Sequence, residues 1–520
     1  MNETTRLTRR TNLFIAFCLI SSIAFFGFVK RTEAKTPQRG GILHRTVSEP
    51  RSLGYPATMT GQTDGQTSSV ALETLFRFDK QSNIVPLLAT GWKTDPDAKT
   101  ITITLRRGVK FHDGSDFNAS VCKWNLDKYR KEKRRRPELK KVSSVDIIDD
   151  YTVRLNLSVF DNTIVTFLAN CADAGRMISR KAFEAHDREW CEQNPVGTGP
   201  FQFVSRKKDV IIKWKRFDGY WGSRPYLDGI EMHRIMDPTV ALMAFKSGEL
   251  HIARSVNPKN AKDLEKEGKY IMYRTQNGQV PALGGYAKDP KSPFSKLKVR
   301  QALAYAIDVP AINRAFGLGY WTVQNQWAVP GTWGYNPDVA GYPYNPEKAK
   351  KLLAEAGYPN GFKTTLNFYN LRPIYVDEAT AMQRYLKDVG IDIKLNGVQR
   401  PKFAEMASMG TGWEGLIRMQ GFSNPDPLVK YAGVAAGNEF AGVYLPPDFT
   451  ALFNKATTAK TFENKKKMVL QLMKMATDQY CIAAHLYVKT SPSFKTPKLH
   501  DDLIGEVPFG YMSPFAWIEK

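Results

Sequence analysis

A chain of 520 residues is too long to be built around one hydrophobic core, because single cores stop growing beyond about 250–300 residues. Apolar residues make up 42% of the chain, which is enough material for several cores. Beyond the N-terminal region, no stretch approaches the roughly 20 apolar residues that a membrane-spanning helix needs. The length therefore predicts two or three lobes outside a membrane.

The first 34 residues have the three zones of an export signal. A basic zone is followed by an apolar run over residues 13–29 and by a polar zone that ends at Ala34. This order predicts a signal peptide over residues 1–34, cleavage after Ala34 and a periplasmic location. The two basic residues that follow the apolar run leave a retained membrane anchor open as the alternative.

Export would place the remaining cysteines, Cys122, Cys171, Cys191 and Cys481, in an oxidising compartment. Cys171 and Cys191 are close in sequence and are candidates for a disulfide, with four buried thiols as the alternative. No pair has the C-x-x-C spacing of metal sites, and the seven histidines are scattered along the sequence. The sequence therefore predicts neither a metal site nor a cofactor.

The net charge of +23 is strongly basic, and part of it is concentrated in residues 130–136. Such a charge is compatible with attraction to anionic ligands or to a membrane surface, but a solvated loop or helix end is the preferred interpretation of the basic cluster. Nucleic acid is a poor candidate partner, because no recognition motif accompanies the charge and export removes the opportunity.

Strand patterns dominate the first half of the chain. Alternation of polar and apolar residues predicts strands over 100–105 and 150–157, with a helix over 119–129 between them. These elements indicate one small α+β lobe. Further strands over 210–217 and 229–235 indicate the start of a second lobe, with a helix following at 239–247.

The pattern becomes helical from Leu297 onward. Asn345 is suited to cap a helix whose first turn contains Pro346, and Gly357 is suited to end it. A strand over 364–368, a helix over 377–389 and a strand over 391–395 then form a predicted α/β unit.

Three blocks carry a resemblance to a known family. The first is residues 105–119, the second is residues 194–201 with 220–228, and the third is residues 299–308 with the segment that leads to Asn345. In this order they resemble family 5 of the bacterial extracytoplasmic solute-binding proteins, which includes dipeptide, oligopeptide and nickel-chelate binders. The three blocks cover most of the chain that follows the predicted signal peptide.

The resemblance implies a class II periplasmic binding protein-like fold, with two main α/β lobes, an extra small domain and a ligand cleft between the lobes. The implied domains are domain I (35–75, 195–285 and 488–520), domain II (76–194) and domain III (286–487). Hinge closure around the ligand would give a membrane permease a distinguishable shape. The implied partners are a small solute and an ABC permease of the inner membrane, and a monomer is expected.

Two segments bear on the ligand. Arg372 lies between a predicted strand and a helix, where a guanidinium and a helix N-terminus could hold an anion, and dipeptide-binding relatives use an arginine of a similar segment for the peptide carboxylate. A surface or interdomain salt bridge is the alternative. In the segment 421–427, Ser423 matches an aspartate that neutralises the α-amino group in dipeptide binders. A serine lacks that charge, so an ordinary dipeptide is disfavoured.

Aromatic residues near these segments are further candidates, since ligand pockets combine apolar walls with a few polar groups. For each of them core packing is the alternative. Asp426 is expected to cap the turn that follows it. The remaining candidate ligand-binding residues are Trp327, Trp333, Tyr335, Trp413, Phe422 and Asn424.

The sequence thus predicts a periplasmic substrate-binding protein of an ABC importer that captures a peptide-like or other polar or anionic solute. A nucleophile-elbow motif and a metal-protease helix are both missing, so no catalytic residue is predicted. Residues 197–200 lack phosphate-loop spacing and are predicted as a tight turn. A ligand sensor for a receptor and a secreted hydrolase on the same scaffold remain as alternatives.

Overall fold

A computed structural model describes residues 35–59, 62–132, 138–274, 278–370, 372–409, 413–419, 421, 424–435 and 440–520. The predicted signal peptide and its cleavage site lie outside these residues. All elements below belong to residues 39–520, which pack as one unit.

The strands are β1 (Ile42–Thr46), β2 (Phe76–Phe78), β3 (Ile84–Pro86), β4 (Ala89–Asp95), β5 (Thr100–Leu105), β6 (Val142–Asp149), β7 (Thr152–Leu157), β8 (Phe201–Lys207), β9 (Ile211–Arg216), β10 (Gly229–His233), β11 (Ile252–Ala253), β12 (Ile271–Arg274), β13 (Ala282–Gly285), β14 (Thr322–Val323), β15 (Phe362–Tyr369), β16 (Ile391–Val398), β17 (Leu416–Met419), β18 (Ala484–His485), β19 (Tyr487–Val488), β20 (Pro492–Lys495), β21 (Leu499–His500) and β22 (Trp517–Ile518).

The α-helices are α1 (Gln62–Ser68), α2 (Ala119–Lys131), α3 (Ile164–Phe167), α4 (Arg180–Ala185), α5 (Arg188–Gln193), α6 (Pro238–Lys246), α7 (Pro258–Glu267), α8 (Leu297–Tyr305), α9 (Val309–Ile312), α10 (Pro346–Glu355), α11 (Pro373–Lys387), α12 (Arg400–Met409), α13 (Pro427–Ala435), α14 (Pro447–Thr457) and α15 (Phe462–Lys474). Short 3-10 or π turns occupy Pro56–Thr58, Pro293–Ser295, Asn313–Gly317, Met475–Gln479 and Pro508–Gly510. Across the described ranges, no helix combines the length and the apolar character needed to span a bilayer.

A seven-stranded sheet has the order β12-β20-β11-β1-β10-β9-β8. Its strands come from three separated parts of the chain, as the predicted discontinuous domain I requires, although the exact domain boundaries stay predictions. Leu43, Ile230 and Trp214 project from adjacent strands into one apolar core. The residues directly before and after each of these three face the other side of the sheet, because side chains alternate along a strand.

A four-stranded antiparallel sheet has the order β4-β5-β7-β6, and α2 packs on it. The predicted strand over 100–105 is confirmed, and the predicted helix over 119–129 extends by two residues to Lys131. Asn118 caps this helix by accepting a hydrogen bond from the Val121 amide. The predicted α+β lobe is therefore present.

A five-stranded sheet has the order β16-β15-β17-β13-β18. The predicted strand–helix–strand unit is confirmed, since β15 and β16 are parallel over eight residue pairs with α11 between them. Helix α11 begins at Pro373, four residues before the predicted start, because proline is well suited to the first helical turn. The Asn345 cap of α10 is confirmed by its hydrogen bond with the Lys348 amide.

The four cysteines within the described residues are free thiols, so the candidate disulfide between Cys171 and Cys191 is wrong. The Cys171 thiol instead donates a hydrogen bond to the Thr166 carbonyl oxygen, over 3.0 Å. Burial raises the pKa of this thiol to about 12, which keeps it protonated and unreactive. Closeness in sequence did not place the two sulfur atoms together.

The segment 197–200 forms a tight connection that needs small residues. A Cβ atom on Gly197 would lie 2.0 Å from the carbonyl oxygen of Ala71, so only glycine fits there. The imidazole of His112 donates to the carbonyl oxygen of Gly199, over 2.9 Å. The segment therefore packs closely against its neighbours, as a tight turn would.

Candidate ligand-binding site

The five-stranded sheet has an edge at which three parallel strands end together. β15 is parallel to both β16 and β17, so their carboxyl ends point the same way. Arg372 follows β15, Arg400 follows β16 and Asn424 follows β17. In sheets of this kind, ligands bind outside the carboxyl ends of the strands, because loops and helix N-termini converge there.

Arg372 lies between a strand and a helix, as the sequence predicted, and it is the residue directly before the first turn of the 15-residue helix α11. Its backbone is extended, with φ −127° and ψ 139°, because the next residue is proline. The side chain is exposed and faces solvent. Burial raises the pKa of the nearby Tyr369 hydroxyl, and the positive charges of Arg400 and Arg372 oppose that rise. These two cations therefore lie around one tyrosine at the strand ends.

A buried ion network lies behind this edge. The carboxylate of Glu378 on α11 is 0% exposed and is ion-paired with Arg418 of β17 and, over 2.7 Å, with Lys489. The guanidinium of Arg418 is 1% exposed and lies 4.9 Å from the centre of the Tyr375 ring. The ammonium of Lys489 lies 4.5 Å from the centre of the Trp321 ring. Two cations thus share one carboxylate, which leaves a net positive charge in a low-dielectric environment.

The pKa values follow from this arrangement. Burial lowers the pKa of Lys489 to about 8, although the Glu378 carboxylate pulls it upward. Burial would raise the pKa of Glu378, but the charges of Arg418 and Lys489 hold it below its usual value. The Tyr487 hydroxyl lies beside both Glu378 and Arg418 and influences their pKa values. The network therefore carries surplus positive charge.

Lys489 also lies where the chain crosses between sheets. It is between β19 and β20, and its backbone pairs with Gln279 through hydrogen bonds of 2.7 and 3.2 Å. Gln279 lies between β12 of the seven-stranded sheet and β13 of the five-stranded sheet. The Tyr375 hydroxyl donates to the side-chain oxygen of Gln279, over 3.3 Å. The ion network is consequently attached to the paired crossing segments, which is where a hinge between lobes would lie.

The predicted aromatic residues belong to a different environment. The four that the structure describes, Trp327, Trp333, Tyr335 and Trp413, pack in or against one core on the opposite face of the sheet. Ile417 and Met419 of β17 contribute to that core, whereas Arg418 between them faces α11. Trp413 is buried with its ring 5.1 Å from that of Tyr286, and its indole nitrogen has no hydrogen-bond partner in the described ranges. Within this group, Trp327 and Trp413 are buried, and Trp333 and Tyr335 are half-buried.

The segment 421–427 is described only in part. Phe422 and Ser423 lie outside the described residues, so their predicted roles stay predictions. Asn424 accepts a hydrogen bond from the Asp426 amide and shapes the turn. Asp426 accepts from the Leu428 amide, which confirms its capping role, and it is ion-paired with the buried Lys465.

Sequence reasoning proposed Arg372, whose role in ligand binding stays a prediction, and it did not single out Glu378, Arg418 and Lys489. Arg418 lies 40 residues and Lys489 111 residues after Glu378 in the sequence. Each of the three, taken alone, looks like an ordinary surface residue in its sequence context. A single signal was available: Arg418 interrupts the apolar run of a short strand, Leu416–Met419, in which every residue is buried.

The comparisons with known proteins agree with this architecture. Residues 83–439 match the family model described as bacterial extracellular solute-binding proteins, family 5 Middle. Heme-binding protein A of Haemophilus influenzae is 29% identical, with 92% of each chain covered. The glutathione-binding protein GsiB of Escherichia coli O1:K1 is 34% identical, covering 74% of this chain and 73% of that one.

Among solved structures, the ABC transporter-associated periplasmic binding protein DppA from Helicobacter pylori, in complex with the peptide STSA, has the same fold. Its TM-score is 0.77 at 23% identity, covering 93% of this chain and 99% of that one. The predicted periplasmic binding protein-like fold is therefore confirmed. Together with the family match over more than half of its length, this shows that the chain belongs to family 5 of the bacterial extracellular solute-binding proteins.

Proposed function

We propose that this protein captures an anionic, peptide-like solute in the periplasm and delivers it to an ABC permease of the inner membrane, without catalysing a reaction. The solute would bind at the carboxyl ends of β15, β16 and β17, and closure of the lobes would enclose it. Its binding free energy would come from burial of the solute and from a few directed hydrogen bonds.

The observation that carries the proposal is the excess of positive charge at this edge. Arg418 and Lys489 share the single carboxylate of Glu378, and the exposed cations Arg372 and Arg400 lie at the ends of adjacent strands. A carboxylate of a solute would supply the missing negative charge, and hydrogen bonds to charged groups contribute about 1.5–3 kcal/mol each.

The relatives support an anionic solute. One is described as glutathione-binding, and glutathione is a small peptide with two carboxylates. Another is described as heme-binding, and heme also carries carboxylates. The excess of basic over acidic residues in the whole chain would further favour encounter with such solutes.

The test measures binding of glutathione and a set of short peptides by calorimetry, beside native mass spectrometry of protein isolated from the periplasm. Arg372→Ala should weaken binding of an anionic solute by roughly 10- to 100-fold, because one charged hydrogen bond is lost. Arg384→Ala is the matched control, since Arg384 is an exposed arginine near the other end of the same helix.

Equal loss in both variants would show that only general positive charge matters and would refute a site at Arg372. Failure to bind any anionic or peptide-like molecule, with none bound to the isolated protein, would refute the proposed solute class. Slow conversion of the bound molecule into a product would refute the non-catalytic part of the proposal.

A further inference from the structure

A second cluster of polar residues lies on the seven-stranded sheet, away from the strand ends described above. His44 belongs to β1, while Glu231 and His233 belong to the adjacent parallel strand β10. His44 pairs with Glu231 in register, and His233 follows two residues later on the same face. All three are half-buried, whereas Leu43, Ile230 and Met232, which alternate with them along the strands, point into the apolar core.

The distances within this cluster are close to those of a metal site. His44 Nδ1 lies 3.1 Å from His233 Nε2, and Glu231 Oε2 lies 3.7 Å from the former and 3.9 Å from the latter. Zinc binds such atoms at about 2.0–2.2 Å, so the ligand atoms of a tetrahedral ion are about 3.3–3.6 Å apart. Small side-chain rotations would therefore bring all three atoms to bonding distance.

Neighbouring side chains hold the cluster in position. Lys213 of β9 is ion-paired with Glu231 Oε1 over 2.8 Å, which leaves Oε2 directed toward the two imidazoles. The ring of His251 stacks on that of His44 at 5.6 Å between centres, and its Nδ1 accepts a hydrogen bond from the His44 amide. Such second contacts orient the ligands of metal sites and limit their movement.

We propose that His44, Glu231 and His233 bind a zinc ion, with water as the fourth ligand. Two imidazoles and one carboxylate form a donor set that suits zinc, whereas calcium and magnesium prefer oxygen ligands alone. The ion would cross-link β1 to β10, so that it would stabilise the sheet that joins three separated parts of the chain. The site belongs to a different sheet from the solute site and does not depend on the proposed solute.

The test uses protein without a histidine tag, freed of metal by a chelator and then titrated with zinc in a calorimeter. Cobalt is a second probe, because tetrahedral coordination gives it a strong visible absorption. The variants are His233→Gln and Glu231→Gln. His186→Gln is the control, since His186 is exposed and stacks only on Trp190.

We expect one zinc ion per chain and a higher unfolding midpoint with zinc in the wild type and in His186→Gln. The midpoint shift should disappear in His233→Gln, and zinc affinity should fall at least 10-fold in both cluster variants, while solute binding stays unchanged. No zinc binding by the wild type, equal binding by the cluster variants, or comparable binding of magnesium would overturn the proposal.

Discussion

At the scale of single residues, Glu378 is the group whose loss should matter most. Glu378→Gln would leave Arg418 and Lys489 buried without a counter-charge, and removing one partner of a buried ion pair costs about 3–5 kcal/mol. We expect a loss of this size in the free energy of unfolding, measured with urea.

Glu355→Gln is the matched control for this substitution. Its carboxylate pairs with Lys298 over 2.9 Å, but both side chains are well exposed, so the loss should stay below about 1 kcal/mol. Similar losses in the two variants would contradict the importance assigned to the buried network.

Lys489 gives the solute site a predicted pH dependence. Burial lowers its pKa to about 8, so its positive charge disappears as the pH rises through that value. A bound anion favours the protonated ammonium, and affinity for the solute should therefore fall as the pH rises above about 8. Calorimetry at several pH values should show this fall in the wild type and a flatter profile in Lys489→Met. A flat wild-type profile would place the anion away from Lys489.

At the scale of elements, the start of β15 depends on Gly361. Its φ is +73°, and a Cβ atom there would lie 1.8 Å from the carbonyl oxygen of Gly390, which precedes β16. Gly361→Ala should cost the left-handed penalty of about 1–2 kcal/mol and about 1–3 kcal/mol more for the steric overlap.

Gly248 separates these two contributions. Its φ is +89°, but nothing lies within 4 Å of an added Cβ atom, so Gly248→Ala should lose only the conformational part. Urea unfolding of both variants measures the difference. Equal losses would show that the β15–β16 connection can move apart without cost.

At the scale of the whole molecule, the lobe built on the four-stranded sheet contacts the lobe built on the five-stranded sheet. The Asn162 side chain donates to the carbonyl oxygens of Ala456 and Ala459, over 2.8 and 3.2 Å. Nearby, the Thr166 hydroxyl donates to Asp426 over 3.3 Å. These bonds join residues that are 260 to 297 positions apart in the sequence, so they favour the arrangement in which the lobes meet.

Asn162→Ala removes two of these bonds, each contributing about 0.5–1.5 kcal/mol. Solute affinity should therefore fall roughly 5- to 100-fold through a smaller population of the closed form, with no change at the strand ends. In the presence of solute, small-angle X-ray scattering should give a larger radius of gyration for Asn162→Ala than for the wild type.

Asn83→Ala is the control for this variant, because its side chain bonds to Asp79 in an exposed turn. Unchanged affinity in Asn162→Ala would mean that these contacts do not contribute to closure.

The sequence alone determined the elements and the family. Alternation located β5 within a residue, the Asn345 cap located α10, and three ordered blocks indicated the fold that the comparisons confirmed. These features are local, because capping and periodicity depend on neighbours a few residues away. The position of Arg372 at a strand–helix junction was predictable for the same reason, whereas its role in ligand binding stays a prediction.

Only the tertiary structure decided which distant residues meet. Glu378, Arg418 and Lys489 form one ion network, and His44, Glu231 and His233 form one cluster, through strand pairings and helix packing that sequence spacing does not encode. The same cause separated Cys171 from Cys191 and placed four predicted aromatic residues in or against a core. Strand register and helix packing are set by the need to bury the apolar faces of all elements at once. The positions of the polar side chains, and therefore their contacts, follow from that packing.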